Sequence, residues 1–310
     1  MKFHPTLITL LLAFGMVLVA RAQERIQVYV REFPTSMVDL GIQGPVKMVK
    51  IADSATYNGV FEEQVCDTYY FDTKGRLTKL VFNHYNVNVW EEYNYTYDSL
   101  GRFLSCASAD GKFLQEAVYD SLGRFLYSVY TRGDGNPKPS LRYFYDEKGL
   151  CVRNEYRPTI DEEELGYELM QHLFRYDDAG HCIEEVEVVD GDTSYAKQVI
   201  YDEKGNVIEH LYETAYDSSR SIYFYNKENL LVKSEHYNDN HLWYESFSEY
   251  DEHLLLDCST TYDAEGNMDD WNYFRYDEYH NLIESIWFSL KDNCRPEIRA
   301  KYTYKYEYYE

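Results

Sequence analysis

Three tryptophans are the residues of this 310-residue chain whose type and spacing best suit ligand binding. Trp90 and Trp243 each lie eight residues before an aspartate that follows a tyrosine, and Trp271 lies six residues before such an aspartate. Side chains of a β-strand alternate between its two faces, and all three offsets are even. If these segments are strands, the three rings project from one face. Rings among Asp, Asn and Glu suit stacking against sugars, and they suit packing equally well.

The acidic residues suggest a second chemistry, the cleavage of glycosidic bonds by two carboxylic acids. The chain has 54 Asp and Glu against 30 Lys and Arg, which gives a net charge of −24. No pair among the 54 stands out in the sequence, so no catalytic residue is assigned. The excess of acid also argues against a nucleic-acid partner, because phosphate binding depends on Lys and Arg.

An internal repeat dominates the chain. Its unit is an aromatic residue, an aspartate, two variable residues and a glycine, followed by an apolar pair, as in the run from Tyr97 to Gly101. Nine copies are spaced 22 to 31 residues apart, and such a period indicates a repeat architecture. The aspartate position is occupied by Asp72, Asp98, Asp120, Asp146, Asp177, Asp202, Asn226, Asp251 and Asp277.

Each copy is predicted to be a β-hairpin turn. The aspartate can accept a backbone N–H two residues on, and the glycine can adopt the left-handed conformation that closes a bulged turn. Three copies have Asn229, Leu254 or His280 in place of the glycine. Leucine is poorly suited to that conformation, so we expect the turn at Leu254 to be shorter or of another type. The residue before the aspartate should face the residue five positions after it.

The repeats predict an all-β fold, an antiparallel β-meander of about nine two-stranded repeats of about 25 residues each. A second turn lies midway in each unit, as at Asp190-Gly191-Asp192, and residues 161–171 could form a short helical insert. Apolar residues on both faces near the turns predict that the sheet curls or spirals, so that something covers each face. The last strand, Tyr302–Tyr308, is predicted to be a sheet edge guarded by Lys301 and Lys305, through which copies could associate.

Cysteine and histidine spacings predict no metal or cofactor site. The sequence has no Cys-x-x-Cys or His-Glu-x-x-His motif and no phosphate-binding glycine loop. The six cysteines would favour disulfides in an oxidising compartment. However, Cys151 and Cys182 occupy equivalent repeat positions two strands apart, too far for a disulfide. We expect small buried cysteines, with Cys258–Cys294 as the remaining candidate pair.

The Tyr-Asp-x-x-Gly-Arg runs at Tyr97–Arg102 and Tyr119–Arg124 resemble the YD repeat of the Rhs family. The segment Gly44–Val49 resembles the start of small exported YD-repeat proteins, and the likeness covers about residues 44–310. It implies long β-sheets that wind into shells or spirals, with functions in carbohydrate binding, adhesion or the delivery of toxin domains. The Asp-Pro-x-Gly signature of the large toxin-type members does not occur, so the resemblance implies a repeat array alone.

The N-terminus is predicted to be an export signal. Lys2 precedes an apolar stretch from Leu7 to Ala20, and Ala20-Arg21-Ala22 matches the small-x-small pattern of a cleavage site. We therefore expect a signal peptide at 1–22, a lead-in segment at 23–44 and a YD-repeat β-sheet domain at 45–310. The mature protein is expected in the periplasm, at the cell surface or in the medium, without a transmembrane anchor.

Together these features predict an exported, non-enzymatic YD-repeat protein that acts as a binding or cell-envelope scaffold and needs no cofactor. Its expected partner is a glycan or an envelope protein. One alternative is a carbohydrate-binding module that uses Trp90, Trp243 and Trp271. The other is a carboxylate-based glycoside hydrolase.

Overall fold

A computed structural model shows an all-β chain in the residues that it describes, as predicted. The described residues are 36–57, 60–84, 89–132, 138–139, 142–156, 169–290 and 297–310. The predicted signal peptide lies outside them, as do residues 161–168 of the predicted helical insert. The last two residues of that insert, Met170 and Gln171, begin a strand.

Twenty-one strands follow one another in the described part of the chain. They are β1 (Val46–Tyr57), β2 (Val60–Phe71), β3 (Leu77–His84), β4 (Val89–Tyr97), β5 (Phe103–Ser108), β6 (Phe113–Tyr119), β7 (Phe125–Arg132), β8 (Lys138–Pro139), β9 (Arg142–Tyr145), β10 (Cys151–Tyr156), β11 (Met170–Tyr176), β12 (Cys182–Val189), β13 (Asp192–Tyr201), β14 (Val207–Thr214), β15 (Ser218–Tyr225), β16 (Leu231–Asn238), β17 (His241–Tyr250), β18 (Leu256–Asp263), β19 (Met268–Tyr276), β20 (Leu282–Ser289) and β21 (Glu297–Tyr308).

The strands form one antiparallel meander in which pairing follows the order of the strands in the sequence. Pairing runs from β1 to β8 and from β9 to β21. Residues 140–141, between β8 and β9, lie outside the described part. The first strand also pairs with the last, from Val46↔Tyr308 to Ala55↔Ala300. The predicted meander is therefore correct, and its curl produces a nearly closed, barrel-like ring.

This closure changes the role of the last strand. Because β21 lies between β20 and β1, it pairs on both sides, and the prediction that it is a sheet edge is wrong. Lys301 pairs with Glu284 at 2.6 Å instead of guarding an edge. Lys305 lies directly opposite Lys50 of β1.

The nine predicted turns share one geometry at one end of the sheet. At Asp98, the carboxylate Oδ1 accepts the N–H groups of Leu100 and Arg102 at 2.9 and 2.8 Å. The backbone of Leu254 adopts the same left-handed conformation as the glycines, with φ +63°, and its N–H donates to the Asp251 carbonyl at 3.0 Å. The expectation of a different turn there is wrong, because the paired strands on either side impose the repeat geometry on leucine.

A tenth turn of this type lies at the opposite end of the sheet. Gly266 N–H donates to the Asp263 carbonyl at 3.0 Å, and Asp263 N–H donates to the Asn267 carbonyl at 2.9 Å. The sequence shows the motif as Tyr262-Asp263-x-x-Gly266, only twelve residues after the previous aspartate. The two-residue turn at Asp190-Gly191 forms midway in its unit, as predicted.

Eight of the nine repeats have a tyrosine before the turn residue, and this side chain faces the inside of the ring. As predicted, Tyr97 lies opposite Phe103, five positions after the turn aspartate. Its hydroxyl also donates to the equivalent backbone carbonyl of the preceding repeat, a link that sequence reasoning missed. Seven such hydrogen bonds of 2.6 to 2.9 Å run from Tyr97 to Leu77, Tyr119 to Phe103, Tyr145 to Phe125, Tyr176 to Cys151, Tyr201 to Cys182, Tyr225 to Val207 and Tyr250 to Leu231. Tyr306 of β21, which precedes no turn of this type, bonds the Leu282 carbonyl at 2.9 Å in the same way.

Arginines after the glycine join the early repeats through charge. The guanidinium of Arg102 bonds Asp98 at 2.7 Å and lies over the ring of Tyr119 in the next repeat, 4.7 Å from its centre. Arg76 and Arg124 make the same two contacts. His181 takes this place in a later repeat, where it bonds Asp177 and stacks on a tyrosine. The arginine after the glycine therefore couples each of the first three repeats to the next.

The main core lies where the ring closes. Buried apolar residues of β1–β5 and β18–β21 form one cluster with the end of the lead-in segment. Met37, Leu40 and Ile42 are buried in it, and Met37 N–H donates to the Gly75 carbonyl at 2.8 Å. The lead-in therefore packs on the first repeat, where no preceding repeat exists to cover it.

Apolar side chains remain exposed on the outer face of the sheet. Leu104, Ile200 and Phe224 are exposed on the outer face, so the expectation that something covers both faces fails there within the described residues.

Three buried cysteines, Cys106, Cys151 and Cys182, are free thiols, as predicted, and so is half-buried Cys258. The candidate Cys258–Cys294 pair is not tested, because Cys294 is not among the described residues. Cys294 and the Cys66 side chain lie outside the description.

Candidate functional site

The predicted tryptophans lie in different surroundings. Trp243 is 67% exposed and lies edge-on against Tyr244 at 5.3 Å. It occupies a bulge of β17, where the register against β16 shifts, so simple alternation does not fix its face. Trp271 is 38% exposed and lies on the outer face. Trp90 belongs to β4, but its side chain lies outside the description.

Trp271 belongs to a row of outward side chains that crosses β15–β21. Each member lies directly opposite the next in the strand pairing, so the row is continuous across the sheet. The rings of Trp271 and Phe288 stack, with centres 5.0 Å apart and planes 23° apart. The members of this outer aromatic row are Phe224, Lys233, Phe247, Thr260, Trp271, Phe288 and Ile298.

Charged groups flank the rings of the outer aromatic row. The Lys233 ammonium lies 5.8 and 5.3 Å from the ring centres of Phe224 and Phe247. It also lies 2.8 Å from carboxylate oxygens of both Glu235 and Glu245. These hydrogen bonds raise the pKa of Lys233 above its usual value. Ring faces beside charged hydrogen-bonding groups suit contact with a sugar chain.

The inner wall carries a second polar group that the sequence analysis did not single out. His172 lies between two acids, with Nδ1 3.1 Å from Glu185 Oε1 and Nε2 3.4 Å from Glu187 Oε2. The Tyr195 hydroxyl donates to Glu185 Oε1 at 2.7 Å. A signal for these acids exists in the sequence, because the bulge after each turn makes even offsets from the aspartate face inward. Glu185 and Glu187 lie eight and ten residues after Asp177.

Two further histidines line this wall. Burial lowers the pKa of His210 to about 4 and also lowers the pKa of His236, so both rings are neutral at pH 7. His236 is satisfied, with Ser221 Oγ 2.9 Å from Nδ1 and Ser234 Oγ 3.1 Å from Nε2. His210 differs, because only Nδ1 has a partner, the Tyr223 hydroxyl at 3.3 Å. Within the described residues, its buried Nε2 has none.

The inward pair Glu185 and Glu187 is the arrangement that a glycoside hydrolase would need. Two positions apart on one strand face, their Cα atoms are about 7 Å apart. However, the hydrogen bond from His172 contributes most to lowering the pKa of Glu185. A general acid that works near neutral pH needs a raised carboxyl pKa. The pair is therefore better suited to holding His172 than to protonating a leaving group.

Other kinds of site have little support in the described chain. It holds no cluster of three His, Cys, Asp or Glu side chains able to bind a metal ion. Among those residues, no helix is long and apolar enough to span a membrane. A depression of about 560 Å³ beside the turns of β11–β14 includes Asp177, His181 and Asp202 in its lining. These three side chains already bond within their own turns.

Comparisons with known proteins show weak structural likeness only. No protein-family model matches the sequence, and no curated protein matches it. A crystal structure of TcdB2-TccC3-TEV aligns at 13% identity and a TM-score of 0.35, covering 77% of this chain and 15% of that one. A porin-like protein from Bacteroides uniformis ATCC 8492 aligns at 11% identity and 0.42, covering 86% and 99%. One from Bacteroides vulgatus ATCC 8482 aligns at 9% and 0.28, covering 84% and 98%.

Proposed function

We propose that this chain is an exported, non-enzymatic binding scaffold whose outer aromatic row binds saccharide chains. The observation that supports this proposal is the arrangement of the outer aromatic row. It places Phe247, Trp271 and Phe288 in line across neighbouring strands, on a wall where Trp271 remains exposed. A solvent-facing row of rings gains no hydrophobic stabilisation from its exposed faces, and exposed apolar surface of this kind marks interaction sites.

The dimensions of the row suit a chain of sugars. Neighbouring strands are about 4.8 Å apart, so Phe247 and Trp271, two strands apart, are separated by about 10 Å. From Phe224 to Phe288 the row crosses five strand intervals, or about 24 Å. Rings over this length can stack on successive sugars, while Lys233 and Glu235 exchange hydrogen bonds with their hydroxyls. Export to the periplasm or cell surface would bring this wall to envelope glycans.

Substitution of Trp271 tests the proposal against a matched tryptophan. Trp287 is similarly exposed, at 40%, but it lies opposite inward Ala300, and its indole N–H donates to Asp270 at 2.9 Å. Affinity electrophoresis through gels that contain soluble polysaccharides measures binding. We expect Trp271→Ala to weaken retardation about tenfold, the equivalent of one lost stacking contact, and Trp287→Ala to leave it unchanged.

Two results would contradict this function. One is the absence of retardation of the unmodified protein in every gel. The other is an equal loss in the Trp271→Ala and Trp287→Ala variants, which would indicate a general loss of structure. Release of reducing sugar from a bound polysaccharide would support the hydrolase alternative instead.

A further inference from the structure

Lys197 holds an unusual place on the inner wall. It lies on β13 directly opposite Glu185 of β12 on one side and Tyr212 of β14 on the other. In a chain with many more acids than bases, a half-buried lysine beside a glutamate is expected to form an ion pair. Within the described residues, Lys197 has no carboxylate within 4 Å.

Glu185 bonds His172 and Tyr195 through one carboxylate oxygen and makes no ion pair with Lys197. Its Oε1 lies 3.1 Å from His172 Nδ1 and accepts the Tyr195 hydroxyl at 2.7 Å. The Lys197 ammonium is still close enough to lower the pKa of Glu185 and of His210. No carboxylate of the described residues therefore uses the hydrogen-bonding capacity of this ammonium.

His210 supplies a second donor beside this ammonium. It lies two positions from Tyr212 on the same face of β14, and therefore diagonal to Lys197 across the strand pair. A neutral imidazole whose Nδ1 accepts the Tyr223 proton carries its own proton on Nε2. In this tautomer the buried Nε2 carries an N–H that has no acceptor within the described residues, which is unfavourable unless a ligand accepts it.

We propose that Lys197 and His210 bind the carboxylate of an acidic saccharide, with the ring of Tyr212 against the sugar face. Two donors on one side of a site recognise an oxyanion, and Tyr212, at 38% exposed, offers its ring beside them. Salt screens the protein's more distant negative charges beyond about 8 Å, so the nearest opposing charge is that of Glu185, which Lys197 faces directly. This site lies on the wall opposite to the outer aromatic row and is independent of it.

Calorimetric titration of the full chain with D-galacturonate and with D-galactose tests the proposal. We expect the acid to bind at least tenfold more tightly than the neutral sugar, with an affinity that falls as salt is added. Lys197→Gln should weaken galacturonate binding about tenfold or more, the effect of losing a hydrogen bond to a charged group. Lys204→Gln, which makes the same charge change in an exposed turn, should leave it unchanged.

Thermal unfolding of both lysine variants shows that the fold is kept, and His210→Asn provides an independent loss of the second donor. Equal binding of galacturonate and galactose, no binding of either, or unchanged binding in both Lys197→Gln and His210→Asn would overturn the proposal. Acetate or phosphate binding as tight as that of galacturonate would overturn the role of the sugar. Trp271→Ala leaves this titration unchanged, so a failure here is separable from a failure of the outer aromatic row.

Discussion

In most repeats the residue before the turn is a tyrosine, whose ring lies on the inner wall. In seven repeats its hydroxyl bonds the repeat before it. The ring packs against the apolar residue across its own hairpin, and the hydroxyl fixes the neighbouring hairpin. Burial raises the pKa of Tyr145, Tyr201, Tyr225 and Tyr250 to about 12, so these hydroxyls remain protonated donors well above neutral pH. This tyrosine therefore stabilises both its own hairpin and the contact with the preceding repeat.

Tyr225→Phe isolates the hydroxyl contribution. The variant keeps the ring but removes the 2.9 Å hydrogen bond to the Val207 carbonyl. We expect the free energy of unfolding to fall by about 1 kcal/mol, measured by urea denaturation. Tyr216→Phe removes a hydroxyl from a side chain that is 97% exposed and should change nothing. Equal effects in the two variants would show that the link does not stabilise the fold.

Leu254→Gly tests the strain in the one turn that has leucine at the left-handed position. The side chain is half exposed, so little burial is lost, and glycine removes the steric cost of φ +63°. We expect a gain of about 0.5–1 kcal/mol in the free energy of unfolding, after the greater entropy of unfolded glycine is deducted. Leu122→Gly, at an exposed turn position outside the left-handed region, should lower stability instead. A loss in both variants would contradict the strain.

The sequence predicts which residues face each other across a hairpin, but it does not predict the hydrogen bonds from the tyrosine hydroxyls to the preceding hairpin. The pairing of Tyr97 with Phe103 follows from the turn length alone, since both residues flank one turn. The bond from Tyr97 to Leu77 crosses to the preceding hairpin, and its length depends on how neighbouring strands are placed. The turn type at Leu254 could not be predicted for a related reason. The preference of leucine against the left-handed conformation is weaker than the strand pairing on both sides of this turn.

At the scale of elements, the lead-in segment is part of the folded sheet and not a tether. Its residues Met37, Leu40 and Ile42 pack on the first repeat, and Gln43 N–H donates to Asn281 Oδ1 of the last repeat at 2.6 Å. One short segment thus contacts the first and the last turn of the array. We expect it to contribute strongly to stability.

Leu40→Ala measures that contribution. Removal of a buried leucine side chain should lower the free energy of unfolding by roughly 2–5 kcal/mol, as judged by chemical denaturation. Val38→Ala, two residues away, truncates a side chain that is 69% exposed and should stay within about 0.5 kcal/mol of the unmodified protein. A small loss in Leu40→Ala would mean that the lead-in is dispensable.

The candidate sites show how bulges limit prediction at this scale. Alternation placed Trp271 on the outer face, because no bulge separates it from Tyr276. It could not place Trp243, which occupies a bulge, and it could not identify Glu185 without the one-residue shift after the turn. The outer aromatic row joins residues of seven strands, and its alignment depends on the register of six strand pairs.

At the scale of the whole molecule, pairing of β1 with β21 removes the two edges that an open sheet would expose. The repeats predicted the strands between these two but gave no signal of where the ends would meet. Closure depends on the small twist between every pair of neighbouring strands added over the whole sheet. A single repeat motif therefore does not predict which strands meet. The Tyr309 hydroxyl reaches across the closure to the Phe71 carbonyl at 2.6 Å.

A paired substitution tests this closure. Lys50 and Lys305 lie directly opposite each other on β1 and β21, and such pairs have Cβ atoms about 5 Å apart. We expect the double variant Lys50→Cys, Lys305→Cys to form a disulfide on mild oxidation, visible as faster migration in non-reducing electrophoresis. Lys50→Cys with Lys301→Cys, four residues out of register, should not. Cross-linking in the second variant alone would refute the pairing.

A meander that meets its own beginning has a fixed circumference. Each repeat adds two strands, or about 10 Å, to the perimeter. An open solenoid accepts tandem duplication at its ends without disturbing the other units. Here, one additional unit would require every strand junction to change its angle, or the closure to separate. Recombination between these similar units should therefore be selected against, and the copy number should vary less among related proteins than the identity of the residues within each copy.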